Sequence, residues 1–223
     1  LHRYGIETIG QLAHADREML EEVMGKQGAQ LHDYAWGRGD TTVRPAGDRP
    51  PPKSIGNGMT FRHNLTDWEE IRSGLDLLCD SVAARLRRAE MKGTRIQVTI
   101  RDPQFQTITR QGPLPLPTNL ARELTTGAAA LVEKHWIVGK PIRMLTVTAL
   151  NLVPEWDAVE QLDLFQPDRS AQREKLEHLE RAVDHIRAKY GSAAIVLGSV
   201  AAQAELYGRS DEDSEASDEE NEE

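Results

Sequence analysis

Cysteine is almost absent. Cys79 stands alone among 223 residues, so no internal disulfide can form, and no Cys/His set has zinc-ligand spacing. Nothing therefore points to an oxidising compartment. No run of about 18 apolar residues occurs, and there is no charged, apolar and small-residue leader, so neither a membrane span nor a secretory signal is expected. A cytoplasmic protein is the expectation. The chain opens on Leu1 rather than Met, and Leu1 to Ile6 reads as the middle of a helix and turn, which predicts further residues ahead of it. With 39% hydrophobic and 28% charged residues the composition is that of a soluble folded protein of one or two domains.

The formal net charge of -9 misleads, because residues 211–223 carry nine Asp or Glu and no Lys or Arg. Without that tail, 27 basic residues face 27 acidic ones. From Thr41 to Val153 the balance tips to 16 basic against 10 acidic residues. A basic middle between acidic flanks suits phosphate-backbone binding, although an excess of this size also occurs on ordinary solvated surfaces. Nine like charges with almost no apolar residues predict a disordered tail over 209–223, whose plainest role is solubility.

Along the chain, Leu1, Tyr4, Ile9, Leu12, Leu20, Val23 and Leu31 recur at roughly helical spacing, broken by Gly5, Gly10, Gly25, Gly28 and Gly37. This predicts short helices over 1–40. Residues 41–52 lose the periodicity and end in Pro50, Pro51 and Pro52, as a stiff linker would. A domain over 53–154 follows. Lys53 to Phe61 alternates with Ile55, Met59 and Phe61 on one side. Thr66 with Glu69 is expected to box the start of a helix whose stripe runs Ile71, Leu75, Leu78, Val82, Leu86 and Ala89, with Gly93 ending it. Ile96, Val98 and Ile100 form a half-buried strand, and Phe105 to Arg110 its hairpin partner. A second helix carries Leu120, Leu124, Ala128, Leu131 and His135. A last strand carries Leu145, Val147 and Ala149. The order βαββαβ predicts an α+β fold, a four-stranded antiparallel or mixed sheet with both helices on one face. Ser54, Gln97, Thr99, Arg101, Thr146 and Thr148 would line the open face. Such a face is either the wet side of a sheet or a surface that lies along a duplex and binds phosphates. A linker over 155–170 and a helical region over 171–208 follow. In that region Leu176, Leu179, Val183, Ile186 and Tyr190 share a helix face, while His178 and His185, two turns apart, are too distant for one metal.

Gln161, Leu162, Asp163, Leu164 and Phe165 place apolar side chains in a polar, proline-flanked stretch where a packed core would not put them. QLDLF resembles the short motif by which bacterial DNA polymerases and repair proteins hold the sliding clamp. The alternative is a segment folded back on its own domain. Four further stretches, LHRYGIETIGQLA, KSIGNGMTF, IRDPQFQTITRQGPLPLPT and PIRMLTVTALNLV, stand in the order of the thumb and little-finger domains of a Y-family, DinB-type translesion DNA polymerase. The chain resembles that family over about two thirds of its length, and the likeness continues through REKLEHLERAVDHIRAKYG.

The resemblance implies a thumb remnant at 1–40 of the helix-hairpin-helix kind, its first hairpin lying before Leu1. There Gly5, Ile6 and the helix starting near Ile9 would present backbone N–H groups to DNA phosphate. It implies a little finger at 53–154 that grips both backbones in the major groove without reading bases. Lys53, Ser54, Ile55 and Gly56 match the strand entering that domain, and Arg62, Thr107, Thr109, Arg110 and Arg143 are the further candidates. The partners implied are primer-template DNA and the bacterial sliding clamp. Family members hold two metal ions on palm carboxylates. No palm or fingers sequence is present here, and Ser210, Asp211 and Glu212 mimic a catalytic triplet inside the acidic tail only. No catalytic residue and no metal site are therefore expected, Mg being left to a palm domain of the parent. Either this is the DNA-holding and clamp-docking half of a lesion-bypass polymerase, or it is a non-catalytic clamp-recruited adaptor or dead paralogue.

Overall fold

The computed structural model describes residues 1–39, 43, 45, 51–137, 139–158 and 167–202, with 167–171 described by backbone alone. Most of the expected linker over 41–52, the QLDLF motif and the acidic tail lie outside the described residues. The chain divides into two compact units, Leu1–Pro51 and Pro52–Glu223.

Among its described residues the first unit holds a 3-10 turn and three short helices, α1 (Ile9–His14), α2 (Arg17–Met24) and α3 (Lys26–Ala35). Helix α1 begins at a capping box: Thr8 Oγ1 accepts from the Gln11 amide, and Gln11 Oε1 accepts from the amides of Thr8 and Glu7. The buried apolar residues of the unit, among those described, are Ile6, Ala13, Leu20 and Ala29. The stripe expected from spacing differs, since Leu1, Tyr4, Ile9 and Val23 are exposed. Helices of six to ten residues separated by turns reset the face at every break, so a spacing carried across the breaks does not stay on one side.

The second unit is α+β. Strands β1 (Ser54–Leu65), β2 (Met91–Arg101), β3 (Thr107–Thr118) and β4 (Ile142–Pro154) form one sheet in the order β1-β4-β2-β3, antiparallel at every pairing. Helices α4 (Trp68–Arg88) and α5 (Ala121–His135) supply Ile71, Leu75, Leu78, Val82, Leu86, Leu124, Ala128 and Val132. The strands supply Ile55, Phe61, Ile96, Val98, Ile100, Leu145, Val147 and Ala149 to the same core. Burying each of the larger side chains is worth about 1.5–3 kcal/mol. Glycine lets both helices close on the sheet: a Cβ on Gly74 would lie 2.9 Å from the Phe61 ring, and one on Gly127 2.9 Å from Leu114.

Three expectations shift. Helix α4 is capped one residue later, with Asp67 Oδ1 accepting from the Glu70 amide and Glu70 Oε2 accepting from the Thr66 amide. A carboxylate at each end of that exchange also suits the positive helix terminus. Burial would raise the Glu70 carboxyl, but its hydrogen bonds from Thr66, His63 and Asp67 outweigh that and hold it below the usual range. The helix ends at Ala89, where Glu90 takes φ 53, and Gly93 lies inside β2 against Ala149. Strand β3 runs on to Thr118 through Pro113, Pro115 and Pro117, because an edge strand does not need those N–H groups.

Helix α6 (Pro167–Tyr190) and the single turn α7 (Gly198–Ala201) dock on this unit through polar groups. Arg87, 5% exposed, donates Nε and Nη2 to Asp184 at 2.6 and 2.9 Å and Nη1 to the Asn119 carbonyl at 2.8 Å, and it also binds Glu180. Lys92 pairs with Glu177, Arg173 with Glu123, Arg181 with Glu155 and Arg187 with Asp80, at 2.6–2.9 Å. Burial pushes the Glu180 carboxyl above its ordinary value even with Arg87 beside it. Burial likewise pushes the Cys79 thiol up to about 12, leaving it an inert core residue. No helix among the described residues is long and apolar enough to cross a membrane.

Candidate nucleic-acid interface

Alternation and register fix what the face opposite α4 and α5 carries. Four cross-strand rows, read from β1 through β4 and β2 to β3, are Ser54, Leu150, Arg95, Pro113; then Gly56, Thr148, Gln97, Gln111; then Gly58, Thr146, Thr99, Thr109; then Thr60, Met144, Arg101, Thr107. Two of these positions are arginine and none is a carboxylate.

The face is organised by its own short hydrogen bonds. The hydroxyls of Thr99 and Thr109 lie 3.0 Å apart, and Arg101 Nε donates to Thr107 Oγ1 at 3.0 Å. On the β1 side, a Cβ on Gly56 would sit 2.5 Å from Thr148 Oγ1 and one on Gly58 2.3 Å from Thr146 Oγ1. The cross-strand threonines alone account for glycine at both places. Where β1 bulges between Thr60 and Leu65, Arg143 Nη1 donates to the Arg62 carbonyl at 3.0 Å. Of the sequence-derived candidates, Lys53, Ser54, Gly56, Arg62, Thr107, Thr109 and Arg143 therefore gather on this face or its rim.

Two candidates sit elsewhere. The Ile55 side chain, 7% exposed, belongs to the core, so it reaches a ligand only through its backbone. Arg110 stands opposite Val98, which gives it the parity of the helix side, and its guanidinium turns back onto the Thr109 carbonyl. In the first unit, Gly5 holds φ 69 and is exposed, while the Ile6 side chain is buried. The capping box takes the amides of Glu7, Thr8 and Gln11, so Ile9 and Gly10 keep the first-turn N–H groups it does not use.

Arg95 was missed, because the strand was read as beginning at Ile96. Continuing the i, i+2 alternation one step back from Gln97 finds it. On the helix side Arg87, Lys92, Arg173, Arg181 and Arg187 are neutralised by carboxylates, while Arg85, Arg88, Arg110 and Arg122 make no ion pair among the described residues, so it is the lack of any carboxylate in its rows that marks the outer face. Among the described residues Arg62, Arg95, Arg101 and Arg143 make no ion pair. A polar sheet face with uncompensated guanidinium groups and no acid attracts polyanions. Among the described residues no three His, Cys, Asp or Glu gather as metal ligands.

Residues 52–164 match the model of the impB/mucB/samB family C-terminal domain. The chain is 35% identical over 198 residues to the DNA polymerase IV of Acetivibrio thermocellus, covering 89% of this chain and 49% of that protein. It is 34% identical over 200 residues to the DNA polymerase IV of Bacillus velezensis, covering 88% and 46%, and 34% identical over 205 residues to that of Clostridium kluyveri, covering 90% and 50%. The chain thus spans about half the length of the curated relatives it matches.

Proposed function

The chain belongs to the impB/mucB/samB family, and from that premise we propose that it is the DNA-holding, clamp-docking part of a lesion-bypass polymerase, gripping the primer-template backbone without reading its sequence. The observation that carries the reading is the outer sheet face, whose cross-strand rows hold Arg95 and Arg101 without an ion pair and no carboxylate. Guanidinium forks and threonine hydroxyls suit phosphate oxygens, which position a duplex but carry no sequence information. The exposed turn at Gly5 with the α1 amides adds N–H donors of the kind phosphate takes. Thr60, Thr99, Thr109 and Thr146 hydroxyls complete a surface that grips loosely, which suits a distorted template.

Nucleotidyl transfer and its Mg belong in this reading to the half of the relatives that the chain does not span. Gln161, Leu162, Asp163, Leu164 and Phe165 serve as the sliding-clamp tether, raising local concentration at the primer end.

Anisotropy of a labelled duplex tests the grip. With three or four phosphates neutralised, log K falls against log salt with a slope of about -2.7 to -3.6, or roughly 40- to 150-fold between about 50 and 200 mM. A flat salt dependence, or a strong sequence preference, overturns the reading. For the tether, a bacterial sliding clamp is titrated into this chain and into a Gln161→Ala, Leu164→Ala, Phe165→Ala variant; binding by the parent alone supports it, and equal binding by both removes it.

A further inference from the structure

Phe105 is 81% exposed at the tip of the β2–β3 turn, and its φ of 63 lies where L-residues rarely go. The turn is held hard. Asp102 Oδ1 accepts from the amides of Gln104 and Gln106 at 3.0 and 2.8 Å, its carbonyl accepts from the Phe105 amide at 3.1 Å, and its amide donates to the Gln106 carbonyl at 3.0 Å. Asp102 itself is 3% exposed, pairs with Lys140 at 3.3 Å, and is thereby neutralised. Lys140 lies 4.3 Å over the Trp136 ring, whose Nε1 donates back to the Lys140 carbonyl at 3.0 Å. A clasp from the end of α5 thus fixes an unfavourable backbone whose result is a phenyl ring held in water. Stability alone gives no reason for that arrangement.

Beside the ring, a cleft of about 480 Å³ opens on the outer sheet face, lined by Thr60, Asn64, Arg101, Pro103, Phe105, Arg143 and Met144 and by Asp102, the carboxylate that Lys140 neutralises. Its size falls within the range of small-ligand sites. Arg101 and Arg143 each spend one N–H within the protein and make no ion pair. The Asn64 amide and Thr60 hydroxyl offer a donor and acceptors. An aromatic face, two cations and a few hydrogen-bonding groups without an unpaired acid is the chemistry that holds a nucleotide whose base is free to stack. A paired base offers no such face, because it is covered by its neighbours.

We propose that this cleft receives one unpaired nucleotide of a DNA strand, its base stacked on Phe105 and its phosphates on Arg101 and Arg143. The inference rests on the DNA-holding reading above and adds a single-strand subsite to it. It places the subsite at the end of the sheet where β2 turns into β3, so a template carrying an unpaired base is held there more tightly than a perfect duplex.

The test compares a blunt duplex with the same duplex bearing a short single-stranded overhang, using the full chain. Phe105→Gly removes the ring and accepts φ 63 without strain, and Phe105→Trp keeps an aromatic face. The parent and the Trp variant bind the overhang more tightly than the blunt duplex, and the Gly variant loses about 5- to 10-fold on the overhang alone. A 2-aminopurine in the overhang is quenched by the parent and the Trp variant and not by the Gly variant. Unchanged overhang affinity in the Gly variant, or an equal loss on both DNAs, overturns the subsite while leaving the DNA-holding reading in place. Failure of the parent to bind either DNA sinks that reading instead.

Discussion

Replacing Arg87 by Ala should release α6 without unfolding the sheet. The guanidinium serves Asp184 through two bonds, the Asn119 carbonyl and Glu180 at once, and its side chain is 3% exposed. Alanine keeps the last turn of α4 helical. It leaves two carboxylates and a carbonyl facing an empty site. Removing one side of a buried pair costs about 3–5 kcal/mol, and because the Glu180 and Asp184 side chains keep 19% and 26% exposure, water relieves part of the loss and the lower end applies. Of the other ties on α6, those of Arg181 and Arg187 are partly exposed and worth about 0–1 kcal/mol each, while Lys92 and Arg173, each 8% exposed, hold its first half. A loss near 3 kcal/mol then makes amide exchange in residues 174–190 about 100-fold faster, while β2 amides at 96–100 change little. Hydrogen exchange with mass spectrometry reads both regions in one experiment. Combining Arg87→Met with Glu180→Leu and Asp184→Leu should restore α6 protection, because an apolar cluster of similar volume has no charge to desolvate. Unchanged exchange in α6, or an equal loss in β2, would refute the view that Arg87 is the principal fastener.

Gly58→Ala should destabilise the second unit by about 1–3 kcal/mol, since its Cβ would lie 2.3 Å from Thr146 Oγ1, and adding Thr146→Ala should recover most of that in a thermal melt. Asp102, whose burial alone would raise it, is held below the usual carboxylate range by the Gln106 amide, Lys140 and the Gln104 amide. A depressed folded value contributes stability that is present above the unfolded value near 4 and lost as pH falls through the folded one. Urea midpoints measured from about pH 7 to 3 should therefore fall on the acid side, and less so in Asp102→Asn. Glu180, pushed up, acts oppositely, its protonation favouring the folded state as pH drops, so Glu180→Gln should steepen the acid loss.

The sheet was legible in the sequence because period-two alternation is strict where one face is buried: Ile96, Val98 and Ile100 could not be placed otherwise. What stayed hidden needed either register or a neighbour from afar. Arg110 was a candidate beside Thr107 and Thr109 through the family resemblance, yet only the pairing with Val98 shows its parity. Gly93 looked like a helix stop because glycine commonly ends helices, but it serves a close approach to Ala149 from a distant strand. The α4 cap moved by one because Asp67 competes with Thr66 for the same amides. The partners of Arg87 lie 93 and 97 residues along the chain, a separation no local pattern records.

The ion pairs of α6 have a mechanical side. Residue 155 is fastened by its amide to the Glu90 carbonyl and by its carboxylate to Arg181 and Asn119, and Arg173 is fastened to Glu123 and the Pro117 carbonyl. The chain between these points includes residues 161–165. A partner pulling on that stretch loads two moorings on one body in parallel. Those moorings end on the Glu90 carbonyl before β2, on the Pro117 carbonyl in β3 and on Glu123 in α5, so a load on the stretch is spread over three elements of the unit at once.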